Sequence, residues 1–554
     1  MFKIARLGIR SACLALLPLA VGGGYARGSA SPIATSRAAP TVNAAGEELV
    51  GTYAQARPAV ASFKGIPYAA PPLGRLRWRA PQPYVFKARS FEATRFAPAC
   101  YQNDYNIEWY RRVWRAFGVS PDPFHNLQFS EDCLYLNIWT PEPHARAGLP
   151  VMVWIHGGND VAGWAYEPNY RGAALAADGH VVVVSIGYRL GIFGFFSHPQ
   201  LLDSAAPANF GLLDQIAALR WIRDNIGAFG GDADNVTIFG ESAGGADVAY
   251  LLASPMARGL YRRAIIESGA YLLRYQYSFA DAQKTGIALA RALPGNPDLG
   301  RLRGLPAAEI FAAALKVKPD NTYLPVVDGK SLTLAPARYF RRHGIAASLL
   351  IGSNANEGYM YDDGRQATLD RELMKFPRLA RRLLSRFAAA APNARLEEDR
   401  LESFIEMACP SYLLAAASER AAHRAWVYRF TRRRAGPGGR LLLVYHGSEL
   451  PYVFDTQDSW LPVRPVDREL TRRMSRYWTN FARDGNPNGP NLPSWLAFSS
   501  RRPEVQDLGS KVRPIPPPHY ALCMRVAPLI YPGWAREAEL ATGGRHRHRG
   551  APMR

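Results

Sequence analysis

The sequence is poor in lysine and, beyond its N-terminal segment, it has no long apolar run. Lysine supplies nine of the 67 basic residues, so arginine carries nearly all of the net charge of +21. The arginines are spread along the chain without a nucleic-acid-binding motif, which favours a solvated basic surface over a nucleic-acid partner. Internal repeats and heptads are also lacking, which argues against solenoids and coiled coils.

The first thirty residues have the pattern of a processing segment. A basic start at 1–10 precedes an apolar run at 11–24, and small residues follow, including Ala26 and Ala30. This order is typical of a secretory signal peptide, and the apolar run is too short to span a bilayer. The sequence therefore predicts a signal peptide over 1–30, a secreted or periplasmic protein, and no membrane span.

Cysteine is scarce, with five residues in all. Cys13 lies in the signal pattern, which leaves Cys100, Cys133, Cys409 and Cys523. An even number in an exported chain favours disulfides, and the sequence alone allows three pairings. Cys100–Cys133 is the short local option, and closing that loop would stabilise the fold by roughly 3–4 kcal/mol.

The middle of the chain predicts alternating strands and helices. Continuous β-branched and apolar runs are typical of strands buried on both faces of a parallel sheet. The strand–helix alternation predicts an α/β fold with a doubly wound, mostly parallel sheet. The predicted strands are 150–155, 181–186, 236–239 and 263–267, with a helix over 211–227.

Two later stretches, around 280–345 and 365–440, are rich in Ala, Leu and Arg at helical spacing. They predict helical segments inserted into one catalytic domain over 31–535. The residues at 536–554 are polar and basic, which predicts a flexible tail.

The stretch 240–244, Gly-Glu-Ser-Ala-Gly, matches G-x-S-x-G between a predicted strand and a predicted helix. In that setting the motif lifts a serine onto a tight turn and exposes its hydroxyl. The positions two before and two after the serine must be small, because strand and helix pack closely there. The sequence therefore predicts Ser242 as a nucleophile.

A serine hydroxyl needs a base, and in this fold class an acid and then a histidine follow the serine along the chain. Glu357 lies in a polar, Gly-flanked loop after a predicted strand, and His446 follows an apolar, strand-like run at 441–444. His156 also follows a strand but precedes the serine. On the residues alone Glu449 remains a rival acid, because it lies three residues after His446.

An oxyanion hole needs backbone N–H groups that face the developing charge. One is expected from Ala243, directly after the serine. The others are expected from a Gly-rich loop after an earlier strand, and the stretch 154–160, Trp-Ile-His-Gly-Gly-Asn-Asp, has that form.

At this point the chain resembles the type-B carboxylesterases, the carboxylesterase/cholinesterase family of the α/β-hydrolase superfamily. The resemblance covers roughly residues 45–530 and includes long stretches besides the serine motif. These stretches are 63–74, 130–141, 188–196, 209–215, 229–232, 237–245, 477–483 and 485–488.

The resemblance implies an α/β-hydrolase fold and a triad of Ser242, Glu357 and His446, which makes Glu449 a neighbour of the site. It implies the pairing Cys100–Cys133, with the intervening loop over the active-site gorge. It also suggests the pairing Cys409–Cys523.

One departure concerns the oxyanion loop, which in the family is usually H-G-G-G and here ends in Asn159. By matching, the donors would be the N–H groups of Gly158, Asn159 and Ala243. Asparagine tolerates positive φ better than most residues. We therefore expect a working hole with a narrowed or more polar acyl side.

The function expected from these features is that of an exported serine hydrolase that cleaves carboxylic esters through an acyl-enzyme, without a metal or organic cofactor. The alternatives are a catalytically silent adhesion or binding protein of the same fold, and a lipase. The expected partner is a small-molecule ester, with an anionic ester as one option. Arg111, Arg112 and Arg115, in the stretch 110–117, suggest attraction of carboxylate-bearing esters, although a solvated helix face accounts for them more simply.

Overall fold

A sheet of eleven strands runs through the computed structural model, with helices on both sides. The structure describes residues 38–534, except 56, 120–123, 125–126, 203, 275–277, 320–321 and 458–460. The predicted signal peptide at 1–30 and the predicted tail at 536–554 lie outside the described residues. The described residues from Ala39 onward belong to one compact unit.

The strands of the described residues are as follows. They are β1 Thr41–Ala44, β2 Glu47–Val50, β3 Thr52–Ala54, β4 Arg57–Pro67, β5 Ser90–Glu92, β6 Ala99–Cys100, β7 Phe129–Ser130, β8 Tyr135–Thr140, β9 Leu149–Ile155, β10 Val182–Ile186, β11 Gly231–Glu241, β12 Arg263–Glu267, β13 Ser348–Asn354, β14 Ala425–Phe430, β15 Val505–Leu508 and β16 Val512–Ile515.

The α-helices of the described residues surround this sheet. They are α1 Tyr105–Phe117, α2 Ala173–Gly179, α3 Gly191–Phe195, α4 Phe210–Asn225, α5 Ala243–Ala253, α6 Phe279–Arg291, α7 Leu299–Gly304, α8 Ala307–Val317, α9 Pro336–His343, α10 Gln366–Met374, α11 Arg378–Ala388, α12 Ala394–Glu402, α13 Cys409–Arg420, α14 Gly436–Leu442, α15 Leu450–Val453, α16 Pro465–Asp484 and α17 Tyr520–Ile530. None of them combines the length and apolarity needed to cross a membrane.

The central sheet has the order β16-β15-β14-β13-β12-β11-β9-β10-β8-β4-β3. The strands from β10 through β15 pair in parallel, and the outer strands pair antiparallel. This arrangement confirms the predicted α/β class with a mostly parallel sheet. Parallel pairing brings the carboxyl ends of β9, β11, β12 and β13 to one edge, where a site forms in such folds.

The central strands are buried on both faces, which explains their continuous apolar composition. In β9, Val151, Val153 and Ile155 pack into one core cluster, while Met152 and Trp154 pack into a second cluster on the opposite face. Successive side chains of a strand point to opposite faces, so each face needs its own apolar set.

The structure corrects two sequence predictions in the later part of the chain. Helices occupy much of 280–345, but the predicted helical segment 365–440 is wrong near its end, because β14 belongs to the central sheet. The interpretation of the apolar run before His446 as strand-like is also wrong, since α14 includes Leu441 and Leu442. Apolar content alone does not distinguish a short buried strand from a short helix.

Two disulfides are formed, Cys100–Cys133 and Cys409–Cys523. They are the pairings that the family resemblance implies. The first closes the segment that contains α1, and the second joins the start of α13 to α17.

Candidate active site

Ser242 lies in a strained turn between β11 and α5. Its φ is 57° and its ψ is −125°, a region that non-glycine residues seldom occupy. The turn is held on both sides, because the Ser242 N–H donates to the Glu267 carbonyl at 2.9 Å and the Ala246 N–H donates to the Ser242 carbonyl at 2.9 Å. Held strain of this kind is typical of a nucleophile exposed at a strand-to-helix turn.

The glycines two before and two after Ser242 are required by close backbone packing. A Cβ on Gly240 would lie 2.5 Å from the Gly244 carbonyl carbon, and one on Gly244 would lie 2.0 Å from the Ile155 carbonyl oxygen. The motif spacing therefore reflects the contact of β9 and β11 with the first turn of α5.

The loop after β9 lies directly beside Ser242. A Cβ on Gly157 would approach the Ser242 Cβ to 3.0 Å. The next two residues have positive φ, 109° at Gly158 and 58° at Asn159. A side chain at Gly158 would also collide with the Ala162 carbonyl at 2.1 Å, so this position is restricted to glycine by both space and conformation.

Glu357 follows β13 and is fixed by several hydrogen bonds. Its Oε1 accepts from the Ser268 hydroxyl at 2.7 Å and from the Asn354 N–H at 2.5 Å. Its own N–H donates to the Ser403 hydroxyl at 2.9 Å. The side chain is buried, so these bonds leave Oε2 oriented towards a single further partner.

That partner is His446, in the loop between α14 and α15. The distance from His446 Nδ1 to Glu357 Oε2 is 2.6 Å. The other ring nitrogen, Nε2, lies 3.2 Å from Glu241 Oε1. Ser242 and His446 line the same cavity, but among the hydrogen bonds of the described residues none joins their side chains. The structure therefore brings the predicted acid and histidine into contact, and the predicted serine and histidine line one cavity.

Buried carboxyl groups dominate the electrostatics around His446. Burial alone would lower the pKa of His446, but Glu241, Glu357 and Glu449 outweigh burial and raise this pKa to about 10. Burial raises the pKa of Glu241 to about 7, against the opposing effect of His446. The direction of this shift favours a protonated imidazole, with Nδ1 on Glu357 Oε2 and Nε2 facing Glu241 Oε1.

Two more buried glutamates surround this pair. Glu449, the rival acid, is fully buried and accepts a hydrogen bond from the Asn354 side-chain amide. Burial raises its pKa well above the usual range. Glu267 accepts from the Trp478 indole N–H at 2.9 Å, and burial raises its pKa to about 8. Because Nδ1 of His446 contacts Glu357, Glu449 influences the histidine through the electrostatic effect of its charge and not through a hydrogen bond.

The cavity above Ser242 has a volume of about 370 Å³, and its walls combine aromatic and polar residues. Helix α1, within the loop closed by Cys100–Cys133, supplies part of one wall. Three acids, Glu167, Glu241 and Glu406, also line it. The aromatic lining residues are Tyr105, Trp109, Tyr110, Tyr170, Tyr271 and Tyr361.

The arginines of α1 make different contacts. Arg111 forms an ion pair with Glu108 at 2.6 Å. Arg112 donates to the Met360 carbonyl at 2.7 Å, and its guanidinium lies 6.0 Å from the centre of the Tyr361 ring. Arg112 is thus the α1 arginine that contacts a wall residue of the cavity.

One acidic group among the described residues has the spacing of metal ligands. It consists of Asp362, Glu398 and Glu402, whose oxygens lie within 4.8 Å of one another. Burial and the neighbouring carboxylates raise the pKa of Asp362 to about 9. A proton held by Asp362 accounts for the close approach of these groups.

Sequence reasoning missed two features of the site. It did not predict that Glu241 would contact His446, although this acid stands next to the serine in the motif. It also missed Asp160 and Asp247, which are buried behind the oxyanion loop. The available signal was an aspartate in each of two otherwise small or apolar stretches that flank the two motifs.

Comparison with known proteins gives consistent matches over this whole region. The model of the carboxylesterase family matches residues 38–515. The para-nitrobenzyl esterase of Bacillus subtilis (strain 168) is 35% identical over 474 residues, which is 82% of this chain and 92% of that protein. The cocaine esterase of Homo sapiens is 36% identical over 533 residues, 89% of this chain and 90% of that protein.

A solved structure gives the same result for the fold. The structure of a thermophilic pNB esterase superimposes with a TM-score of 0.75 at 32% sequence identity. The match covers 87% of this chain and 99% of that one.

Proposed function

Because the chain belongs to the carboxylesterase family, and is therefore a carboxylic ester hydrolase, we propose that Ser242, His446 and Glu357 are its catalytic triad. The observation that carries this proposal is the 2.6 Å contact between His446 Nδ1 and Glu357 Oε2 beside a strained, cavity-lining Ser242. Glu357 fixes the imidazole and stabilises its charged form.

The reaction then proceeds through an acyl-enzyme. His446 Nε2 accepts the hydroxyl proton of Ser242 as the serine oxygen attacks the ester carbonyl, and a tetrahedral intermediate forms. The imidazolium gives this proton to the leaving alcohol oxygen as the carbon–oxygen bond breaks. Water, activated in the same way, releases the carboxylic acid and restores Ser242.

The resting contact of Nε2 with Glu241 must be broken before His446 acts as a base. A protonated imidazole has no lone pair at Nε2 with which to accept the serine proton. Hydrogen bonds of catalytic groups commonly tighten only in the substrate complex. We propose that Nε2 gives its proton to the Glu241 carboxylate, and that substrate binding then turns the neutral imidazole so that Nε2 faces Ser242.

The oxyanion is held by the N–H groups of Gly158, Asn159 and Ala243. The first two lie on the loop beside Ser242, and Ala243 begins α5, where the helix dipole favours negative charge. Loss of one such donor commonly lowers kcat by about 10²–10³-fold. The Asn159 side chain borders the cavity, which supports a narrowed or more polar acyl side.

The substrate is a small-molecule ester. A cavity of about 370 Å³ with aromatic walls suits an apolar acyl or alcohol group. Because the acids Glu167, Glu241 and Glu406 line the interior, we place any anionic group of the substrate at the rim, beside Arg112. Equal kcat/KM for matched anionic and neutral esters at low and high salt would refute this placement.

We also propose that the protein is exported, with a signal peptide at 1–30 ahead of a catalytic domain over 31–535 and a basic tail at 536–554. The two disulfides support this assignment, because such bonds persist mainly in oxidising compartments. N-terminal sequencing of the protein recovered outside the cytoplasm would test it. A mature chain that still begins at Met1 would refute the signal peptide.

A fluorophosphonate probe tests the triad directly. The wild-type protein is expected to bind one probe covalently, with the adduct on Ser242, and to hydrolyse para-nitrophenyl acetate. Ser242→Ala is expected to lose both properties. Ser204→Ala is the matched control, because that hydroxyl donates to the Leu201 and Ala206 carbonyls and does not line the cavity of Ser242.

Two outcomes would favour the alternatives. Absence of labelling in correctly folded wild-type protein would support a silent binding protein of the same fold. A rate that rises sharply when a triacylglycerol passes from solution into an emulsion would support a lipase. Labelling of Ser242→Ala would refute the proposed nucleophile.

A further inference from the structure

Behind the oxyanion loop lie two carboxyl groups that the proposed mechanism does not use. Asp160 directly follows Asn159, and Asp247 lies in the second turn of α5. Both are buried, with exposures of 2% and 0%. Each keeps one buried oxygen, Oδ1, that no donor among the described residues reaches, and the two carboxyl groups lie close enough to act on each other. A hydrogen bond between the two carboxyl groups would satisfy these oxygens, and it would require that one of them carries a proton.

The surroundings of this pair are polar but supply few donors. The Gln215 amide of α4 donates to Asp247 Oδ2 at 2.5 Å. The Tyr188 hydroxyl also faces Asp247 while it donates to the His156 carbonyl at 2.8 Å. Tyr250 of α5 and Tyr271, in the segment after β12, are two further titratable groups on which the pair acts.

His156 also lies close by, but it contributes no charge to this cluster. Its ring stacks on Tyr188 at 4.5 Å, and its Nδ1 lies 2.9 Å from the Gly157 carbonyl. Burial lowers its pKa to about 4, so it is neutral at physiological pH. The proton between the two aspartates therefore remains the main titrating element behind the loop.

The backbone around Asp160 is strained and depends on its anchors. Gly158, Asn159 and Asp160 all have positive φ, at 109°, 58° and 57°. The Asp160 carbonyl accepts from the Gly191 N–H at 2.6 Å, and the Gly158 carbonyl accepts from the Val161 and Ala162 N–H groups at 3.1 Å. Successive residues in this region are costly unless the surroundings hold them.

We propose that Asp160 and Asp247 are positioning residues, and that the hydrogen bond between their carboxyl groups holds the loop so that the Gly158 and Asn159 N–H groups face the oxyanion. The bond connects the loop after β9 to α5, which begins with Ala243. It therefore fixes the position of the Gly158 and Asn159 N–H groups relative to the Ala243 N–H group. This inference rests on the proposed function.

The bond requires one proton, so it is lost at alkaline pH. Burial raises the pKa of Asp247 to about 7, and burial together with Asp247 raises that of Asp160 well above its usual range. When the second carboxyl ionises, two buried negative charges repel each other and release the loop. The transition-state donors then move away from the oxyanion, which lowers kcat more than it changes KM.

The test compares Asp160→Asn, Asp247→Asn and Asp160→Ala with the wild type on para-nitrophenyl acetate from pH 6 to pH 10. Asparagine supplies a donor that does not titrate. Both asparagine variants are expected to keep kcat within about threefold of the wild type at pH 7, because the hydrogen bond survives. The wild type is expected to show an alkaline decline in kcat, and both asparagine variants are expected to lose it.

Asp160→Ala removes the bond, and we expect kcat to fall about 10–100-fold with KM changed less than about threefold, a smaller loss than deletion of a whole oxyanion donor. Asp467→Asn is the control, because Asp467 is a buried aspartate paired with Arg432 outside the cavity lining. It is expected to lower Tm without altering the alkaline profile of kcat.

The proposal is overturned if the asparagine variants retain the wild-type alkaline decline, or if folded Asp160→Ala keeps kcat within threefold of the wild type. If Asp160→Ala fails to fold, the pH profiles of the asparagine variants decide the matter alone. A failure of the proposed function gives a different result, because Ser242→Ala would then still hydrolyse the ester. A failure of the present proposal leaves Ser242→Ala inactive.

Discussion

The two sides of Ser242 are built by different physical means. On one side, the turn at 240–244 and the loop at 157–159 are shaped by backbone contacts, with glycine wherever a Cβ would collide. On the other side, His446 is surrounded by Glu241, Glu357 and Glu449, and its state depends on charge. Steric exclusion acts over tenths of an ångström, whereas the field of buried charges acts over several ångströms.

The two sides therefore differ in how they fail. A side chain added to the backbone side has no room, so its failure is structural and affects folding. A charge removed from the histidine side leaves the fold in place but changes when the histidine holds a proton. The following predictions separate these two kinds of failure, beginning with the largest expected effect.

Gly244→Ala is expected to destroy the backbone side. The added Cβ would lie 2.0 Å from the Ile155 carbonyl oxygen, and neither β9 nor α5 can move without opening the core. We expect a loss of more than about 4 kcal/mol in the free energy of unfolding and no measurable activity. Chemical denaturation measures the first and ester hydrolysis the second.

Gly304→Ala is the matched control for this substitution, because a Cβ added there would have no other atom within 4 Å, and the residue belongs to helix α7. Its free energy of unfolding is expected to change by less than about 1 kcal/mol. Equal stability of the two variants would contradict the steric explanation of the turn at 240–244.

Glu357→Gln is expected to break the charged side without unfolding the protein. The amide keeps the size of the side chain but removes the charge that stabilises the imidazolium and fixes its tautomer. We expect kcat to fall by about 10⁴-fold, as when the acid of a serine triad is replaced by its amide. A loss of less than tenfold, with Tm unchanged, would remove Glu357 from the triad.

Glu241→Gln is expected to move the pH profile. Glu241 and Glu357 raise the pKa of His446, so removing one charge lowers it. Loss of activity on acidification, which reflects protonation of His446, should then occur at lower pH in the variant. The pH dependence of kcat/KM measures this limb. If the acidic part of the pH dependence of kcat/KM did not change, Glu241 would not affect the pKa of His446 in the free enzyme.

The same raised pKa makes a contribution to stability with a definite sign. His446 holds its proton more tightly in the folded state than in the unfolded chain, where its pKa is near 6.5. This contribution is fully present below pH 6.5 and is lost as pH rises towards about 10. Glu241→Gln should flatten this part of the stability curve, as measured by Tm against pH.

Asn159→Gly is the smallest expected change. Asn159 already has a φ of 58°, which glycine adopts freely, so the backbone donor stays in place. Removing the side chain widens the acyl side of the cavity, and we expect bulky acyl esters to gain about three- to tenfold in kcat/KM over acetyl esters, an amount typical of small changes in a pocket. An unchanged rate and acyl profile would show that Asn159 does not restrict the site.

The backbone side could be predicted from the sequence because its determinants are local. Gly240, Ser242 and Gly244 fall within five residues, and the strand and helix around them have clear patterns. The strands before the oxyanion loop and before Glu357 were also predictable from their apolar runs, and β9 and β13 confirm them. Each of these features is determined by a short stretch of chain.

The charged side could not be predicted in the same way, because its partners come from distant parts of the chain. Nothing local to His446 indicates that Glu241, about two hundred residues earlier, would face its Nε2. The segment before His446 folds as α14 and not as a strand, since short apolar runs fit either structure. The Asp160–Asp247 pair likewise depends on the approach of a loop to a helix.

The contact of Gly244 with the Ile155 carbonyl also restricts how the enzyme can diversify. Strand β9, which leads into the loop at 157–159, and α5, which follows Ser242, are in contact without space for a single methyl group. Substitutions that add a side chain at this contact are therefore expected to prevent folding. Changes in ester preference must therefore arise in the walls of the cavity, above all in α1. The Cys100–Cys133 disulfide holds the segment that contains α1, so its side chains can change without moving Ser242.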